Sequence, residues 1–398
     1  NNLFTIDTEN PKADLINLNV VSINRPDNTI EMEITFDKVM NNTIDPDFSF
    51  NGTTEMSNNG DGAWSGGNTV FTVTFDHSLV EEEVSVANID ITNAQDASGN
   101  IMEPATSANF AINTVRSRIE NISATNTDEI YKENDLINIE VTFDQDIMVS
   151  GNPELDLNSG GVAEYLSTSL NVLTFEYTVA AGENIGDLDV INFNLLGATI
   201  TNTVGNEAIL TLPISPNRLQ DNKNIEIDTR SPLVSNIILD KAIISRTETI
   251  LNVTVEYDED MDQSSNPLFN FSAGNNMVLE SSSWADSQTF IAEFRHDLLV
   301  EEERDNVTIE ISGATDVVGN TAVTENSGSF DIDTQRPRIT QIVSSTANGT
   351  YGPGDQINIK VVFDENIQQI GTAPILTLNT GATASFDNIT NGNELNFT

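Results

Sequence analysis

Tyr131-Lys-Glu-Asn-Asp-Leu-Ile-Asn-Ile-Glu-Val-Thr-Phe-Asp144 decides the fold, and it returns as Tyr351-Gly-Pro-Gly-Asp-Gln-Ile-Asn-Ile-Lys-Val-Val-Phe-Asp364. Within it Ile137, Ile139, Val141 and Phe143 alternate with Asn138, Glu140 and Thr142. Successive side chains of a β-strand point to opposite faces, so this period of two predicts a strand with one buried and one wetted face. Ile30, Met32, Ile34 and Phe36 repeat the alternation, as do Leu251, Val253, Val255 and Tyr257. Further apolar runs at 71–75, 173–179, 290–294 and 307–311 are divided by Gly, Asn, Asp and Ser clusters, with no helix-length stripe of period 3.6.

The recurrence extends to most of the chain. Trp284 follows Trp64 by 220 residues, and Val300-Glu301-Glu302-Glu303 follows Val80-Glu81-Glu82-Glu83 by the same interval. Asp316-Val-Val-Gly-Asn320 likewise follows Asp96-Ala-Ser-Gly-Asn100 by 220, and Asp258 follows Asp37 by 221. Punctuation comes from Phe330-Asp-Ile-Asp-Thr-Gln-Arg-Pro337, with counterparts at 4–11 and 225–232 and a weaker one at 110–116. Proline fixes φ and has no N–H, so it stops sheet pairing just past a strand end. These landmarks predict the end of a preceding module at 1–8, a type A module at 9–114, a type B module at 115–229, a second type A at 230–334 and an incomplete type B at 335–398. About seven short strands in each complete module is the pattern of an immunoglobulin-like sandwich. The predicted fold is therefore all-β, with tandem immunoglobulin-like β-sandwich modules arranged as an extended rod.

The chain carries 62 acidic and 16 basic residues among its 398, a formal charge of −46. Such a polyanion is unsuited to nucleic acid or anionic membrane, which are held by Lys and Arg. No run of about 18 apolar residues marks a membrane span in this sequence. Cysteine is absent, so disulfides contribute nothing. Divalent cations are one answer to the acidity; a solubilising surface is the other.

Lettering the strands A to G in order brings the B–C and F–G loops to the end where the chain enters a module. Asp228 would there meet Asp258, Glu259 and Asp260 from one loop and Asp316 and Asn320 from the other. Asp7, Asp37, Asp96 and Asn100 repeat the set at the first module, and Asp331, Asp333, Asp364 and Glu365 at the last. The joint near 114 is poorer: Asn113 replaces Asp, Asp144 and Asp146 remain, and Thr203-Val-Gly-Asn206 stands where the neighbours begin with Asp. Calcium takes six to eight oxygen ligands in flexible geometry, so it is the expected cofactor at these joints. The competing reading is that each loop is an ordinary solvated Asp/Gly/Asn turn. The triple-Glu runs read equally as solvated loops or as ligands.

Neither His77 nor His296 has a repeated Ser or Cys nucleophile arranged with it, so no catalytic residues are expected and the chain does not read as an enzyme. Trp64 and Trp284 sit in Gly/Ser/Asp-rich surroundings and read either as covers for a core edge or as platforms for stacking a sugar.

The B-type pattern resembles the repeats of very large secreted bacterial adhesins, including the SprB-like gliding and adhesion proteins of Bacteroidetes, and the repeat named after a cyanobacterial swimming-motility surface protein. The residues that carry it are Ser-Ser-Thr-Ala-Asn-Gly-Thr-Tyr (344–351), Gly-Asp-Gln-Ile (354–357), Val-Val-Phe-Asp-Glu (361–365), Leu-Thr-Leu-Asn-Thr-Gly (376–381) and the stretch 173–189. The resemblance implies export to the bacterial cell surface, a multi-module stalk serving attachment or gliding motility, and calcium at the joints. The implied partners are neighbouring modules of the same chain, and surface glycans or other extracellular ligands contacted elsewhere in the protein. Carbohydrate-binding modules, or an accessory region of a secreted hydrolase, are the alternatives.

Overall fold

A computed structural model describes residues 5–272 and 276–398; Asn1 to Phe4, and with them the start of the first proline-ended stretch, lie outside the described residues. The first sandwich runs β1 (Ala13–Leu18), β2 (Ser22–Ile23), β3 (Thr29–Phe36), β4 (Asp47–Asn51), β5 (Met56–Asn58), β6 (Ala63–Ser65), β7 (Val70–His77), β8 (Glu83–Thr92), β9 (Ala105–Thr106) and β10 (Phe110–Asn113). One sheet has the order β1-β3-β7-β5, with β6 also on β7; the other has β2-β10-β8-β4, with β9 on β8. The opening segment is thus divided between the sheets, with β1 in one and β2 in the other, where β2 pairs parallel with the final β10. That division, with its Greek-key connections, is the immunoglobulin arrangement.

The period-two stretches build the core as their spacing predicts. Ile30, Met32 and Ile34 are wholly buried, and on the neighbouring strand they lie opposite Phe75, Val73 and Phe71. Ile89, Ile91, Phe110 and Ile112 close the layer from the second sheet. Each such side chain contributes about 1.5–3 kcal/mol on leaving water, while Glu31 and Glu33 stay on the wetted face.

The third module repeats this plan with Val234–Leu239, Ile250–Tyr257, Thr289–His296 and Met277–Trp284 in one sheet, and Ile243–Ser245 parallel to Phe330–Asp333. In the second module the first sheet has six strands, because Val162–Ser169 pairs onward with Glu154–Leu157, which pairs with Val190–Asn194. Its centre is Ile137, Ile139 and Val141 against Tyr177, Phe175 and Leu173. The fourth module contributes one five-stranded sheet.

The chain divides into two compact units, Asn1–Arg230 and Ser231–Thr398, each a type A module followed by type B residues. Each module has its own cluster of buried apolar side chains. Both tryptophans cover core edges: Trp64 packs on Phe36 and Phe71 at ring separations of 5.6 and 5.0 Å, and Trp284 on Tyr257 and Phe290 at 5.8 and 5.1 Å.

Phe175 is wholly buried and touches Tyr165 and Phe193 edge-on. Phe175→Ala should destabilise the second module by about 3–5 kcal/mol. Calorimetry should show one transition displaced, with the transition of the Ser231–Thr398 unit unmoved.

Candidate metal centres and the joints between modules

Asp37, Asp144, Asp258 and Asp364 each follow directly on the second long strand of a module. One oxygen of each accepts an amide from the start of that module: Lys12 (3.0 Å), Arg118 (2.8 Å), Leu233 (2.8 Å) and Arg338 (2.8 Å). The aspartate amide donates in return to the carbonyl of the same residue. These reciprocal pairs lock the first strand onto the second, a structural use for four residues expected as ligands.

The Asp-x-x-Gly-Asn segments are closed turns. Asp96 is buried; its Oδ1 accepts the amides of Ser98 and Asn100, and its Oδ2 the Asn100 side-chain amide at 2.9 Å. Asp316 does the same with Val318, Gly319 and Asn320. Gly99 and Gly319 have φ of +88° and +95°, the left-handed backbone that such a turn requires. In the second module the equivalent residue is Asn202, not Thr203, so the register read from sequence was one residue off. Asn202 Oδ1 accepts the Asn206 amide at 2.9 Å, and its Nδ2 donates to the Val115 carbonyl at 2.9 Å and to Gln145 Oε1 at 3.2 Å.

The position after each strand-closing aspartate changes charge along the chain: Lys38, Gln145, Glu259, Glu365. Lys38 Nζ donates to the Glu9 carbonyl at 2.7 Å and lies 3.5 Å from both Asp7 Oδ2 and Asp96 Oδ2. Desolvation works against its charge, but Asp7 and Asp96 outweigh it and hold its pKa above the ordinary value. A cation is therefore built into the first joint. Asn100 Nδ2 joins it by donating to the Asp7 carbonyl, at 3.2 Å. In the second module the corresponding set, Asn113, Gln145 and Asn202, is neutral.

In the second unit Glu259 and Asp316 bring carboxylate oxygens within 4.8 Å of one another. At the fourth module burial raises the pKa of Glu365, and the charges of Asp333, Asp364 and Glu303 push it further. The remaining candidates have local roles or stand in solvent. Asp228 accepts the Arg230 amide, Asp260 accepts Ser287 Oγ and Gln288 Nε2, Asp331 accepts the Asn306 amide, and Asp146 is exposed.

The joints from type A to type B rest on arginine. Arg25 donates through Nε to the Thr114 carbonyl (2.9 Å) and through a terminal nitrogen to the Leu79 carbonyl (2.7 Å), while its amide donates to Asn206 Oδ1 (2.7 Å). Asn206 Nδ2 donates to the Asn113 and Val115 carbonyls. Arg116 reaches the Glu207 carbonyl, and Arg118 pairs with Glu81. The second unit uses the same places: Arg246 donates to the Thr334 carbonyl at 3.1 Å, and Arg338 pairs with Glu301 at 3.1 Å.

The middle glutamate of each triplet turns inward. His77 Nδ1 accepts the Leu79 amide, so its Nε2 carries the proton given to Glu82 Oε1 at 2.8 Å; His296 Nε2 lies 3.2 Å from Glu302 Oε2. Both histidine side chains are fully buried. The Glu82 and Glu302 amides donate to Thr114 and Thr334 Oγ1 at 3.0 and 2.9 Å. Only the recurrence of a His shortly before each Glu triplet, five residues ahead of Glu82 and six ahead of Glu302, signalled this; nothing in sequence marked Arg25 or Thr114.

The pairing of sheets defines the class, a string of immunoglobulin-like sandwiches. No protein-family model matches the chain, and no curated protein matches it. A solved structure titled marsupial T cell receptor is similar over 79% of this chain and 99% of that one, at 8% identity and a TM-score of 0.20, too low to carry an argument.

Arg25→Ala should cost about 1.5–3 kcal/mol, because it strips charged donors from two carbonyls. Hydrogen exchange at Thr114 and Val115 should accelerate. For Glu302, burial opposes ionisation, yet Asn276, His296 and Arg304 hold its pKa below the ordinary 4.5. Its stabilising contribution is thus complete above about pH 4.5 and disappears as pH falls through the lower folded value. Melting of the second unit between about pH 5 and pH 3 should lose part of its slope in Glu302→Gln.

Proposed function

We propose that this chain is part of the stalk of an exported bacterial surface adhesin used for attachment or gliding motility, with calcium at the carboxylate-lined joints. The observation that carries the reading is the duplicated joint between type A and type B modules. Two segments 219 to 221 residues apart use corresponding threonine, glutamate, histidine and arginine places to fasten one sandwich to the next. A chain that must transmit tension needs such a fastening at each repeat, whereas independently acting modules would be served by a flexible linker. The mutual repulsion around Glu365 supports a cation at the fourth module. The glycan-stacking alternative has less support, since both indoles pack against core rings.

Calcium should raise the melting temperature of the second unit above its value in chelator, and Glu365→Gln should reduce that rise. Protease treatment of intact source cells should release peptides of these modules. No calcium response together with complete protease resistance inside the cell would remove the reading.

A further inference from the structure

A cleft of about 360 Å³ opens at the joint of the first and second modules, lined by Arg25, Pro26, Arg116 and Glu207. Arg25 uses Nε and Nη2 on the Thr114 and Leu79 carbonyls, and Arg116 uses the same two nitrogens on the carbonyls of Glu207 (2.8 Å) and Ala208 (3.2 Å). A guanidinium has five N–H donors, and the Nη1 of each arginine makes no hydrogen bond among the described residues. Neither has a carboxylate within ion-pair distance among those residues, because the nearby Glu81 pairs with Arg118. The Arg118 hydrogen bond holds the Glu81 pKa below its ordinary value, and Arg25 adds only its charge. The lining therefore carries two guanidiniums against one exposed carboxylate, a net positive place in a chain of −46.

The second unit shows what these arginine places hold. Arg246, Arg336 and Arg338 follow Arg25, Arg116 and Arg118 by 221, 220 and 220 residues. All three converge on Glu301, the counterpart of Glu81: its Oε1 lies 3.6 Å from Arg246 Nη1 and 3.6 Å from Arg336 Nε, and its Oε2 lies 3.1 Å from Arg338 Nη2. The two places that meet one carboxylate oxygen there have none in the first unit. We propose that the cleft between Arg25 and Arg116 is a carboxylate-binding site, which takes the acid group of an acidic sugar or other small organic acid. The paired N–H groups of a guanidinium match the two oxygens of a carboxylate. The cleft stands at the lower end of the ~300–1,000 Å³ of small-molecule sites, which suits a ligand of about one sugar ring. Glu207 in the lining repels a second negative charge, so a single carboxylate is favoured over a phosphate or a polyanion. The site needs no cation at any joint and does not rest on the stalk reading.

The test is a titration of the full chain, with arginine side chains labelled for ¹H–¹⁵N spectra, in chelator at an ionic strength of about 0.15 M, where a Debye length of about 8 Å screens the distant acidic surface. D-glucuronate should shift the Nε–Hε signals of Arg25 and Arg116, leave those of Arg246 and Arg336 in place, and D-glucose should shift none. Acetate acting as strongly as glucuronate would assign the site to the acid group alone, and tighter glucuronate would assign it to an acidic sugar; both support it. Arg116→Gln should weaken glucuronate binding by about tenfold or more, the worth of a charged hydrogen bond. Glu207→Gln keeps the backbone carbonyl that Arg116 uses, so it should fold and bind glucuronate about two- to fivefold more tightly. Should Arg116→Gln fail to fold, Glu207→Gln decides. No shift at Arg25 and Arg116 with either acid, equal shifts with glucose, or unchanged affinity in Glu207→Gln would overturn the site.

Discussion

The bond from the Arg25 guanidinium to the carbonyls of Leu79 and Thr114, and its counterpart from Arg246 to Thr334, governs how each unit is built. A linker between sandwiches exposes carbonyls that no sheet satisfies, and solvent alone leaves such a segment free to move. Here the last strand of the type A module runs into a threonine whose backbone and hydroxyl both pair with a glutamate, and that glutamate's side chain is held by a buried histidine. The arginine closes the arrangement from the opposite side. Core, loop and linker consequently share one hydrogen-bonded chain. In a molecule with only 16 basic residues, placing Arg25, Arg116 and Arg118 at one joint, and Arg246, Arg336 and Arg338 at the other, is a substantial commitment of positive charge.

A second constraint acts at the residue after each strand-closing aspartate. With Lys38 there, two carboxylates are met by an ammonium ion. With Gln145 and Asn202, the same turn geometry is kept while an acceptor becomes a donor, and linker carbonyls take the place of charge. Where Glu259 or Glu365 occupies the position, acid faces acid. The turn survives all of these changes because Asp96, Asp316 and Asn202 use one oxygen in the same way, for amides two to four residues on. Electrostatics at this position is therefore free to vary without altering the loop that carries it.

The strands were legible because alternation reports burial directly: Ile137, Ile139, Val141 and Phe143 are all wholly buried, and their polar neighbours are not. The site was less legible, for physical reasons. An aspartate that caps a strand start and one that binds a metal have the same side chain, and only the distance to Lys12 or Arg118 reveals the former use. In the second module the turn begins at Asn202 rather than Thr203, because an Asn amide oxygen fills the place of the Asp carboxylate and leaves no acid to mark it. Glu82 and Glu302 read equally as solvated or as metal ligands amid neighbouring glutamates, yet each is delivered to a buried histidine.

These contacts divide the charge of the molecule into two kinds. Arg118–Glu81 and Arg338–Glu301 are partly exposed pairs, which salt weakens and which contribute little singly. Arg25 and the buried His–Glu pairs are shielded from solvent and bonded to backbone, so salt reaches them less. The shielded contacts fasten the type A module to the type B module through backbone groups of the chain itself. Around Glu365, by contrast, the charges of Asp333, Asp364 and Glu303 act against one another. The proposed calcium dependence belongs with those carboxylates rather than with the arginine-held joints.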